Sequence, residues 1–152
     1  MSLSCDVIRK LSGKTLATAE SLTGGGIGTS LTSVSGSSAV YKGGIISYTN
    51  EIKEKVLGVR KETLEKFGAV SAPVAEEMVS GVRKLLGTDI AVSVTGLAGP
   101  GADDYGNPVG TVFIGYEDCK RNVSKQYHFE GDREAVRSQT VRAALELILM
   151  YS

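Results

Sequence analysis

The chain has 152 residues, enough for one domain with a substantial buried core. Its 17 basic and 17 acidic residues cancel, and no basic stripe with interleaved aromatics runs through it, which argues against the positive field that nucleic-acid binding needs. No apolar run approaches the ~20 residues of a membrane span, and the charged N-terminus has no signal-peptide core; the expectation is a cytoplasmic protein with no membrane partner.

Residues 4–11 read as a short helix with Val7, Ile8 and Leu11 on one face, and 15–19 as a first strand. A helix over 24–34 pairs Ile27 with Leu31, 36–38 is a loop, and a second strand over 40–48 is interrupted by Gly43 and Gly44. Asn50 starts, and can cap, a short helix through Leu57 and Gly58, and 61–67 forms another. Ser71 caps a longer helix with Pro73 in its first turn and an apolar stripe of Ala75, Met78, Val79, Val82, Leu85 and Leu86. A buried strand over 90–94 leads into a loop over 95–108. A hairpin follows, with strands 110–117 and 123–129 and a turn over 118–122. Asp132 then caps a final helix that turns Val141, Ala144, Leu145 and Ile148 inward. Helices between apolar strands, plus one hairpin, predict a single α/β domain over 1–152: a three-layer α/β/α sandwich with a mixed, mostly parallel sheet.

Four segments carry chemistry. In the first, Ser21 stands between a short apolar run and the cluster Gly24, Gly25 and Gly26. A side chain at such a strand-to-helix turn projects from the carboxyl edge of the sheet beside unpaired N–H groups, which hold a phosphate or an oxyanion. The pattern fits neither a dinucleotide fingerprint nor a P-loop. Ser21 is a nucleophile by one reading and a helix cap by the other. In the second segment, Tyr48, Asn50 and Lys53 reach the same sheet edge if the first two strands are parallel neighbours. A buried lysine there would act as a base for a serine hydroxyl, and a solvated one among Glu51, Glu54 and Lys55 would not.

The third segment, Thr95 and Gly96 through Gly99 to Gly101, is a tight backbone-exposing loop after a strand, suited to approaching a ligand. The fourth is Arg133 in the first turn of the last helix, where a cation opposes the macrodipole. Either an anion shared with Arg137 explains it, or a salt bridge to Asp132 or Glu134 does. His128 has no partner by spacing and reads as structural, Asp103 and Asp104 as solvated. Cys5 and Cys119 lack metal-ligand spacing and are expected as free thiols, with no metal and no cofactor.

Taken together, residues 19–25, Tyr48-Thr49-Asn50 with Lys53, 68–71, 95–101, 108–112 and 131–133 resemble the CinA C-terminal domain family, in order and over nearly the whole chain. That family includes nicotinamide mononucleotide deamidases. The resemblance implies hydrolysis of the carboxamide of nicotinamide mononucleotide to the carboxylate with release of ammonia. By position it puts a serine nucleophile at Ser21 and a lysine base at Lys53, with Tyr48 nearby and Thr95 and Arg133 as contacts. Leu22 stands where many members have Cys, and 102–107 lacks the Gly-rich run usual there. The N-terminal domain of full-length relatives, associated with ADP-ribose pyrophosphatase activity, is not expected here, and neither is that activity.

Both lines lead to one mechanistic expectation. Ser21 attacks the carboxamide carbon while neutral Lys53 removes its proton, directly or through Tyr48. The N–H groups of Thr23, Gly24 and Gly25 hold the oxyanion, and Arg133 binds a phosphate or keeps Lys53 neutral by repulsion. A non-catalytic nucleotide-binding module and an amidase for another small amide use the same residues. The partner expected is a small nucleotide, with a homo-oligomer compatible with the apolar last helix.

Overall fold

The computed structural model describes residues 2–152. Its elements run α1 (Leu3–Lys10), β1 (Leu16–Glu20), α2 (Gly26–Thr32), a 3-10 turn (Ser37–Ala39), β2 (Tyr41–Ile46), α3 (Asn50–Leu57), α4 (Lys61–Phe67), α5 (Ala72–Leu86), β3 (Ile90–Gly96), β4 (Thr111–Glu117), β5 (Asn122–His128) and α6 (Arg133–Tyr151). The strands form one sheet in the order β2-β1-β3-β4-β5. The β1–β2 and β1–β3 pairs are parallel, whereas β3–β4 and β4–β5 are antiparallel, so only β4 runs against the others.

Period-two alternation divides the core. Leu16 of β1, with Ile90, Val92 and Val94 of β3, packs beneath α1, α2 and α6. Ala17, Ala19 and Ala91 face the opposite layer, with Val74, Met78, Val79 and Val82 of α5. Small alanines on that side let α5 lie close against the sheet. The predicted three-layer sandwich is thus observed. Among the described residues no helix is long and apolar enough to cross a membrane.

Several boundaries differ from expectation. Gly24 and Gly25 have positive φ (58° and 101°), so α2 begins at Gly26 rather than Gly24. Strand β2 ends at Ile46, which leaves Tyr48 outside the sheet. Thr49, not Asn50, caps α3, its hydroxyl accepting from Ile52 N at 3.4 Å. The two neighbours are both good cap residues, so sequence alone does not choose between them. Thr95 and Gly96 extend β3 instead of opening the loop. Leu85 is not part of the buried stripe of α5; it is 53% exposed. Ser71 and Asp132 do cap α5 and α6, accepting from Val74 N and Ala135 N.

Helix α3 is seated against α5 at Gly81, where an added Cβ would overlap the Leu57 carbonyl. Gly81→Ala therefore forces a helix displacement and is expected to cost about 1–3 kcal/mol. The effect would be read as a lower urea midpoint at unchanged m.

Candidate active site

The parallel register sets the site. Glu20 lies opposite Ile46 on one side and Val94 on the other, so β1, β2 and β3 deliver their following segments to one edge of the sheet. Chain direction also diverges here: β1 leads out to β2, whereas β3 lies on its other side, which leaves a crevice at the carboxyl ends. Glu20 is turned toward α2 and bonds the Ile27 and Gly28 N–H groups. Ser21, one residue on, meets Lys53 of α3 on the other side.

Lys53 lies in the first turn of α3 and is 1% exposed; Ser21 is 7% exposed. The lysine Nζ donates to the Ser47 carbonyl at 2.6 Å and sits 3.1 Å from Ser21 Oγ. Burial disfavours the ammonium and lowers the lysine pKa from 10.5 to about 8. Once the amine is neutral, an N–H held by the Ser47 carbonyl leaves the nitrogen lone pair free to accept the serine hydroxyl proton. The solvated-lysine alternative is thereby overturned. So is the capping role for Ser21, because Gly25 occupies the N-cap of α2 and no side chain bonds there.

Ser21 and Lys53 line a cavity of about 530 Å³, with Val70, Thr95 and Gly96 to Gly101 in its walls and Tyr48, Asn50 and Arg133 also bordering it. Arg133 donates to the Gly99 carbonyl and to the Tyr48 hydroxyl, each at 2.8 Å. It pairs with neither Asp132 nor Glu134; Asp132 is spent on the N-cap of α6. Among the described residues no carboxylate pairs with the Arg133 guanidinium that borders the cavity. The 102–107 loop is fixed by Asp103, which accepts from the Tyr105 and Asn107 backbone N–H groups and from Asn107 Nδ2. Tyr105 anchors it to α4 through the Leu64 and Glu65 carbonyls.

The family model described as CinA C-terminal domain matches residues 2–151. This chain belongs to the CinA C-terminal domain family. A CinA-like protein of Thermotoga maritima is 44% identical over 138 residues, covering 91% of this chain and 34% of the relative. The chain thus spans about a third of the length of the curated relatives it matches. The crystal structure of competence damage-inducible protein A from Klebsiella pneumoniae superposes with a TM-score of 0.96 at 38% identity, covering 98% of this chain and 94% of that one. That of CihA from Agrobacterium tumefaciens gives 0.94 at 38%, with 97% and 92% covered.

Within this CinA domain not every predicted site residue reaches the cavity. Thr23, Gly24 and Gly25 do not line it. Of the donors expected to face an oxyanion, the Gly24 N–H is engaged in a turn bond to the Ser21 carbonyl; beside them, the Gly26 N–H donates to the Thr23 carbonyl. The Thr23 hydroxyl is bound to Glu20 at 2.7 Å. Arg137 does not line this cavity; it grips the Leu22 and Thr23 carbonyls at 2.9 and 3.3 Å. Thr95 lines the cavity, but its hydroxyl donates to the Ala69 carbonyl. Tyr48, 58% exposed, is bound to Arg133, and the serine–lysine contact is direct. Burial, not repulsion from Arg133, lowers the Lys53 pKa. His128 has partners after all, the Val109 carbonyl at 3.1 Å and Glu130 at 3.4 Å.

Sequence reasoning missed Glu20. Its signal was a carboxylate ending an apolar strand immediately before a glycine cluster, where exposed N–H donors follow within a few residues.

A buried lysine is costly whatever its role. Its folded-state pKa lies below the unfolded value, so the unfolded chain holds the proton more tightly. The penalty is complete below pH 8 and fades as pH rises from about 8 toward 10.5. Lys53→Met should therefore stabilise the fold near pH 7 by about 1–3 kcal/mol. The gain should shrink in urea titrations run above pH 9.

Proposed function

We propose that this domain is a nicotinamide-nucleotide amidase. It would hydrolyse the carboxamide of nicotinamide mononucleotide, with water, to nicotinic acid mononucleotide and ammonia. The observation that carries the reading is the buried Lys53 amine, 3.1 Å from Ser21 Oγ with its pKa brought down to about 8. In this reading Ser21 attacks the carboxamide carbon as Lys53 takes its proton. The tetrahedral intermediate collapses when Lys53 returns that proton to the departing nitrogen, and water then cleaves the acyl-enzyme by the same route in reverse. The oxyanion is assigned to the N–H of Leu22, the residue after the nucleophile, with the Gly24 N–H set aside because it donates to the Ser21 carbonyl. Membership of the CinA family and the cavity size support a substrate as large as a mononucleotide.

Ammonia release from nicotinamide mononucleotide tests this directly. Wild type should turn over, while Ser21→Ala should lose roughly three or more orders of magnitude in kcat. Lys53→Arg should be similarly inactive because a guanidinium stays protonated. Since the base works deprotonated, kcat/KM should rise about tenfold per pH unit below 8 and level off above it. A Ser21→Ala protein losing less than tenfold would remove the nucleophile. Binding without turnover would support a nucleotide-binding module instead, and turnover of another amide alone would replace the substrate.

Arg133 is assigned to the 5′-phosphate, as the guanidinium at the cavity with no carboxylate partner. Arg133→Ala should raise KM for the mononucleotide roughly 10- to 100-fold, about the loss of one charge-assisted hydrogen bond. Turnover of nicotinamide riboside, which has no phosphate, should be unaffected by the same substitution.

A further inference from the structure

The carboxylate of Glu20 is 2% exposed and saturated with donors. One oxygen accepts from the Thr23 hydroxyl at 2.7 Å and the Ile27 N–H at 2.9 Å. The other accepts from the Gly28 N–H at 3.0 Å and the Thr18 hydroxyl at 3.3 Å, and Thr18 is itself 2.7 Å from the Tyr41 hydroxyl. These bonds tie the end of β1 to the first turn of α2 and enclose the turn that carries Ser21. From the opposite side Arg137 of α6 holds the carbonyls of Leu22 and Thr23, the two residues after the serine. The packing leaves no slack: a Cβ at Gly28 would come 2.8 Å from the Tyr41 hydroxyl, and one at Gly44 would overlap Thr18.

We propose that Glu20 is the positioning residue for Ser21, holding the turn through Thr23, Ile27 and Gly28 while Arg137 clamps its far side, so that the serine hydroxyl is aimed at Lys53. The N–H groups of α2 are therefore satisfied internally and take no part in holding a ligand. Lys53 is fixed by the Ser47 carbonyl, and Ser47 is tied to the backbone carbonyl of Glu20 but not to its side chain. Losing the Glu20 bonds would let the hydroxyl drift while leaving the amine and the cavity walls in place. The proposal rests on the serine–lysine pair acting as proposed above, but not on the identity of the amide.

Glu20→Gln is the isosteric test, because an amide NH2 must face at least one backbone or hydroxyl donor and the four-donor arrangement fails. Thr23→Val removes a single bond from the same network and keeps a folded protein available if Glu20→Gln does not fold. Thr23→Ser retains the hydroxyl. Two readouts apply. In the first, an alkyl fluorophosphonate labels Ser21: the Oγ–P bond forms, the P–F bond breaks, fluoride leaves and the serine proton passes to Lys53, followed by intact mass. The second is kcat and KM with nicotinamide mononucleotide.

Labelling and kcat should fall at least 30-fold in Glu20→Gln and at least fivefold in Thr23→Val, with KM within threefold of wild type. Thr23→Ser should stay within twofold, and the pH at which labelling reaches half its plateau should not move, since Lys53 is untouched. A purely structural role would lower the melting temperature of Thr23→Val yet leave its labelling rate at wild type when fully folded. That result, or Thr23→Ser as impaired as Thr23→Val, would overturn the proposal. If wild type is labelled but does not turn over nicotinamide mononucleotide, the substrate reading fails and the labelling rates alone decide the positioning role. If wild type is not labelled at Ser21, the nucleophile reading fails and this proposal with it.

Discussion

A lysine amine removed from water and given two oxygens is the constraint around which this CinA domain is organised. One oxygen, the Ser47 carbonyl, belongs to the segment leaving β2; the other, Ser21 Oγ, belongs to the segment leaving β1. Both can meet Lys53 only because β1 and β2 are parallel neighbours whose carboxyl ends stop level with each other. The short first turn of α3, capped by Thr49, then returns Lys53 toward the sheet within a few residues of leaving it. Burial disfavours the cation here, and that is what lets the amine lose its proton at an accessible pH.

The two faces of β1 divide the labour. Toward α3–α5 the strand presents alanines, which admit a close helix layer and leave room at its end for the serine–lysine contact. Toward α2 and α6 it presents Thr18 and Glu20, whose polar network would be out of place in an apolar layer if any donor were left unmatched. The glycines at 24, 25, 28 and 44 are accounted for by this network. The first two supply positive φ, and the last two make room for the Tyr41 hydroxyl and Thr18. The N–H groups of Ile27 and Gly28, just after the glycine cluster that looked like a phosphate cradle in the sequence, are thus taken by the protein's own carboxylate.

How much was legible follows from the range of the signals. Hydrophobic periodicity and cap residues are local, so the elements, the three layers and the caps Ser71 and Asp132 could be read from the chain. The proximity of Ser21 and Lys53 was also legible, because it needed only a parallel β1–β2 pair. The fates of Thr23 and Arg137 were not. Arg137 lies one turn beyond Arg133, and the spacing suggested a shared anion. The two side chains instead reach different backbone segments, Gly99 and the Leu22–Thr23 turn, whose positions depend on the whole sheet. Tyr48 does border the same cavity as Ser21 and Lys53, but β2 ends two residues early and its hydroxyl accepts from Arg133.

Helix α6 has a consequence for the order in which the domain matures. It is the last element of the described chain, yet it supplies both Arg133 at the cavity and Arg137 against the turn that follows β1, more than a hundred residues earlier. A nascent polypeptide still lacking this helix would already contain the serine and the lysine, but one flank of the turn that carries Ser21 would have nothing to lean on. The geometry that sets Ser21 against Lys53 is therefore a property of the domain with α6 docked, and of no fragment that stops short of it.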